Sequence, residues 1–139
     1  DKRAIYLATL DRTIERAGQG FDRLIAADLP LRESLEQLFR IVIDGYLTGE
    51  QAPSGCIMVS TSATSAVDDA DIRARLAAFL RMEDDKVEAL LTARGDANAH
   101  GHARIVAATI HSLSVRARAG ASREDLDALA AECVAMVAG

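Results

Sequence analysis

Ile105–Gly139 reads IVAATIHSLSVRARAGASREDLDALAAECVAMVAG. Arg116 and Arg118 fall in the last turn of a first apolar helix, where positive charge complements the carbonyl end. Gly120 then stops it. Ser122, three residues before Asp125, opens a second helix with a capping-box pattern. Both helices are rich in Ala and other small residues, and both are apolar on more than one side. Such a pair carries more apolar surface than a small domain covers alone. The stretch therefore predicts an all-α domain that pairs with a partner chain.

Working back from it, the helical period continues. Gly95 to Gly101 is a break. Before it, Ile72, Leu76, Phe79, Leu80, Val87, Leu90 and Leu91 form one stripe, with Asp68, Asp69 and Asp71 at its start, where negative charge suits the helix dipole. CIMVSTSATSA (56–66) alternates poorly and is too rich in small residues for a strand, so it reads as a short buried helix. Thr48–Gly55 reads as a loop. Leu31, Leu35, Leu38, Phe39, Val42, Ile43 and Tyr46 form a stripe opened by Pro30 in the first turn; Gly45 within it suggests a close helix crossing. Ala4, Leu7, Ala8, Leu10 and Ile14 form the first stripe, ending at Gly18 and Gly20. The count is six helices and no sheet.

The 139 residues suit one domain, 1–139, and the 50% hydrophobic but only 4% aromatic composition predicts a bundle core of Ala, Leu, Ile and Val. A net charge of −5 argues against this chain gripping a phosphate backbone. Cys56 and Cys133 are far apart and read as two reduced thiols of a cytoplasmic protein. No apolar run approaches membrane-spanning length and no signal peptide is visible, so no membrane partner is expected. The chain starts without Met, inside a helical pattern, which suggests that an N-terminal part of a longer protein precedes it.

Candidate chemistry is sparse. His100 and His102, with Asp96, resemble metal ligands but lack a further ligand at fixed spacing; a solvated loop near a helix start explains them better. No metal and no cofactor are expected. Glu83 lies on an apolar stripe, where a carboxylate is costly unless paired, so it either touches a ligand or sits at the stripe edge. His111, among Ala107, Ala108, Ile110 and Val115, either lines a cavity or is a satisfied core histidine. Thr61, Ser62, Thr64 and Ser65 either bond back to carbonyls four residues earlier or orient a ligand. Met58, Met82, Phe39 and Phe79 are core by default, and are also what a pocket in a helical bundle is lined with. No Ser-His-Asp order, phosphate loop or Cys-x-x-Cys is present.

Three segments carry a family resemblance: KRAIYLATLDRTIER (2–16), GCIMVSTSAT (55–64) with DDADIRARLAAFLRMEDDKVEALL (68–91), and HSLSVRARAGASREDLDALA (111–130). In order and character they resemble the C-terminal regulatory domain of TetR/AcrR-family transcriptional regulators, over nearly the whole chain. The resemblance implies a six-helix ligand-binding and dimerisation domain of a repressor, not an enzyme. The family's N-terminal helix-turn-helix is absent from this sequence, so DNA would be bound only through that missing domain. A small, mostly apolar effector would enter a cavity among the first five helices, shift the first helix (2–17) and release the operator, whose half-sites lie about 34 Å apart. Periodicity and resemblance together place Leu10, Phe39, Ile43, Met58, Thr61, Phe79, Met82 and His111 around that cavity. The last two helices would form a four-helix bundle with their copies in a homodimer, through Thr109, Ser112, Arg116, Leu126, Leu129, Ala130, Cys133 and Val137. Two other readings stand beside it: a small helical enzyme using Glu83 and His111, and a ligand-free helical adaptor. An apolar cavity favours the sensor over the adaptor; a close Glu83–His111 contact in a cleft favours the enzyme.

Overall fold

The computed structural model describes residues 1–48 and 56–139. All regular structure among the described residues is helical: α1 (Lys2–Ala26), α2 (Leu31–Leu47), a short α3 made of a π-helical turn (Met58–Ser62) and Ala63–Ser65, α4 (Ala70–Ala93), α5 (Ala99–Arg118) and α6 (Arg123–Ala138). All but one residue (Thr48) of the loop expected at Thr48–Gly55 lies outside the described residues.

Capping explains most boundaries. The Asp1 carboxylate accepts the Ala4 N–H, and Asp69 accepts from Asp71 and Ile72. Ser122 accepts the Asp125 N–H at the start of α6, and Gly120, at φ 92°, provides the left-handed residue that ends α5. Pro30 caps α2 rather than entering its first turn. Gly101 lies inside the first turn of α5, so His100 and His102 are helical.

One boundary corrects the sequence reading. α1 does not stop at Gly18 and Gly20 but runs through both to Ala26. Two interior glycines cost about 1 kcal/mol each relative to Ala, yet the extra turns bury Phe21 and Leu24. A Cβ at Gly18 would meet the Met82 sulfur at 3.8 Å, so the first glycine sits close under an α4 side chain. At Gly45 nothing among the described residues lies within 4 Å of an added Cβ, and none of them makes a close crossing there.

α1 packs along α4, and four ion pairs mark their register: Arg3 with Asp69 and with Asp71, Asp11 with Arg75, and Asp22 with Lys86. Residue numbers rise together on both helices, so the two run in the same direction. α2 packs instead on α6 and α5, and α4 on α5. The core divides accordingly. A larger cluster joins Phe21, Leu35, Phe39, Ile43, Leu90, Leu113, Leu126 and their neighbours; a smaller one gathers Leu10, Met58, Ile72 and Phe79 under α3, and Met82 touches both.

Candidate functional site: a groove between α1 and α2

Because α1 leans on α4 while α2 leans on α5 and α6, the two barely touch beyond their connecting turn. The gap is a groove of about 460 Å³. Ala17, Gly20 and Leu24 of α1, with Ala27 just past its end, form one wall, Leu38, Ile41, Val42 and Tyr46 of α2 the other, and Phe79, Glu83, Ile110 and Cys56 the floor. From Thr13 to Ala27 the α1 wall extends over about 21 Å at 1.5 Å per residue. Arg16 and Arg23 are exposed at the rim.

Glu83 is the one acid on this floor and is only 3% exposed. The His111 Nε2–H of α5 donates to its Oε1. Burial pushes the His111 pKa down, but the hydrogen bond and charge of Glu83, helped by Asp84, outweigh it and hold the ring above its ordinary value. A raised histidine contributes stability that is complete below its unfolded pKa and is lost as pH rises through the folded one. Burial pushes the Tyr46 hydroxyl far up, and Cys56 and Glu83 add to it. The Cys56 thiol is also raised, first by burial and then by Glu83, against backbone N–H groups of Met58 and Val59. Both groups stay neutral, and Cys56 is not an activated nucleophile. The Cys56 N–H donates 2.7 Å to Ser114 Oγ, which fixes this end of the groove to α5.

The expected pocket residues are distributed differently. Phe79 lines the groove; Phe39 and Ile43 are buried in the larger core cluster, where they floor a separate shallow cleft between α2 and α6. Leu10 and Met58 belong to the smaller cluster, and Met82 packs between the two. Thr61 donates to the Ile57 carbonyl and accepts from Tyr6; Ser62 bonds back to Met58. Ser60 bonds back likewise to Cys56, so these hydroxyls follow the backbone alternative. His111 reaches the groove through Glu83. The sequence did not single out these walls: Ala17, Val42 and Tyr46 sit at stripe edges, and Leu24 lies beyond Gly20, where the expected first helix ended.

His100 pairs with Glu88 and His102 with Asp96, 2.7 Å away. Among the described residues no three His, Cys, Asp or Glu side chains gather as metal ligands. Of the residues expected at a partner interface, Leu126, Ala130, Cys133 and Val137 are buried in this chain's own core. Arg116 is exposed, while Thr109, Ser112 and Leu129 are half-buried. Thr109 donates back to the Ile105 carbonyl, and burial pushes the Cys133 thiol up, offset in part by Thr109. Ile105 and Met136 are exposed on the same two helices. No described helix is long and apolar enough to cross a membrane. Comparison with known proteins returns no matching family model, curated protein or solved structure.

Proposed function

We propose that the chain is the effector-sensing and dimerisation domain of a TetR-family transcriptional repressor in the cytoplasm. The observation that carries this reading is the apolar groove between α1 and α2. α1 is held to α4 by the smaller apolar cluster around Leu10, Ile72 and Phe79, with an exposed ion-pair seam along its edge in which each pair contributes about 0–1 kcal/mol. Against α2 it has almost no packing, so an occupant that wedges α1 from α2 shifts the helix that would lead to a DNA-binding domain ahead of Asp1. Its leverage is its differential affinity for the two positions of α1. The exposed α5–α6 face with Ile105, Arg116 and Met136 supports pairing with a second copy.

Val42→Phe tests the groove. Val42 is half-buried on its wall, so the larger ring enters the groove rather than the core. Ten-carbon amphiphiles should raise the melting temperature of the wild type and not of V42F, whose own melting temperature stays close to wild type. A melting temperature unmoved by every amphiphile, or moved equally in V42F, contradicts the reading.

A second reading, a small helical enzyme, draws on the Glu83–His111 contact. It has the weaker support: His111 Nε2 is committed to Glu83, and no activated nucleophile lines the groove among the described residues.

A further inference from the structure

We infer that the groove takes an elongated apolar amine, with its ammonium group against the carboxylate of Glu83. The inference rests on the sensor reading in taking this groove as the effector site, and it adds the chemical class of the effector.

A carboxylate buried beside Phe79 and Ile110 needs partners for both oxygens. His111 donates to Oε1. Among the described residues no other group hydrogen-bonds Glu83, and no buried side-chain oxygen lacks a partner, so the second oxygen opens onto the groove. The buried polar neighbours on α2 and before α3 supply no charge: Tyr46 and Cys56 are both held neutral by burial. Arg16 and Arg23 form no ion pair with it.

Three kinds of occupant differ in what they offer that oxygen. A carboxylate sets like charge against Glu83. A neutral chain displaces water from the oxygen and returns at most one hydrogen bond. An ammonium returns both charge and donors, and a charge-assisted hydrogen bond is about twice as strong as a neutral one. The apolar walls take the rest of the molecule.

The amine competes with the proton on His111. With the ring protonated, Glu83 is already neutralised within the protein; once the ring loses its proton, the carboxylate charge is left to the ligand. The charged and titratable groups around this balance are His111 from α5, Asp84 and Glu83 from α4, Tyr46 from α2, Cys56, and the exposed Arg16 and Arg23 at the α1 rim. Amine affinity should therefore rise with pH through the His111 transition.

Calorimetric titration with decylamine, decanol and decanoate, below their micelle concentrations, tests this on the wild type and E83Q. Decylamine should bind about ten-fold tighter than the other two, and E83Q should remove that preference while keeping decanol binding. In the wild type, decylamine affinity should rise several-fold as His111 loses its proton, a transition located by its own ring NMR signals, with decanol flat. If circular dichroism shows E83Q unfolded, this pH series decides alone. Decanol binding as tightly as decylamine, with no pH dependence of either, overturns the amine and leaves the groove reading intact. Binding of none of the three overturns both.

Discussion

Arg94→Ala is expected to lower stability by about 2–4 kcal/mol, although Arg94 lies at the end of a helix. Its side chain is only 7% exposed. The guanidinium donates to the Leu24 and Ile25 carbonyls, at 3.3 and 2.8 Å, and to Ser34 Oγ at 3.2 Å. One side chain thus closes the last carbonyls of α1 and ties them to the first turn of α2. It does so across the turn where Asp28 adopts φ 53°, a left-handed conformation that Asp tolerates better than most residues. Truncation leaves partly buried carbonyls with weak turn bonds and removes a packed stem. Arg94→Lys should rescue little, because one ammonium cannot span the three acceptors. Urea unfolding measures both variants, and a loss under about 1 kcal/mol in R94A would show the clamp to be dispensable.

Leu126→Glu and Met136→Glu should have opposite effects, though both lie on α6. Leu126 is 0% exposed within the larger core cluster, so a carboxylate there has no partner and should cost more than about 4 kcal/mol, leaving the chain unfolded or insoluble. Met136 is 60% exposed, so M136E should change folding stability by no more than about 0.5 kcal/mol. If α5 and α6 pair with a second copy, the same charge should leave a folded monomer. Thermal melts with sedimentation velocity separate the two effects. A folded L126E would remove Leu126 from the core, and an M136E dimer of wild-type strength would take Met136 out of the interface.

α6 shows where periodicity stops. Its residues are apolar on several sides, and the pattern cannot tell the side facing α2 and α5 from the side left over. The sequence did carry the helix order, the Ser122 start and the Gly120 stop, because caps are local; of the three aspartates expected in the first turn of α4, only Asp71 is there, and Asp69 is the cap. It hid the full length of α1, since the penalty of Gly18 and Gly20 is local while the compensating burial of Phe21 and Leu24 is tertiary. Glu83 and His111 each stood out, but they are 28 residues apart on different helices and meet only in three dimensions. The groove was the least legible feature. Residues at the centre of an inward stripe, such as Ile43 and Leu10, become core; a cavity forms where two helices fail to meet, at stripe edges such as Ala17 and Val42.

Methyl-resolved NMR of the wild-type chain titrated with decylamine tests the central claim most directly. The account predicts shift changes at Leu24, Leu38, Val42 and Ile110, which line the groove from three helices, with little change at Leu126 or Val137 in the α6 core. It is contradicted if the changes fall on Ile105 and Met136 of the outer α5–α6 face, or if the groove methyls stay unmoved at saturating ligand.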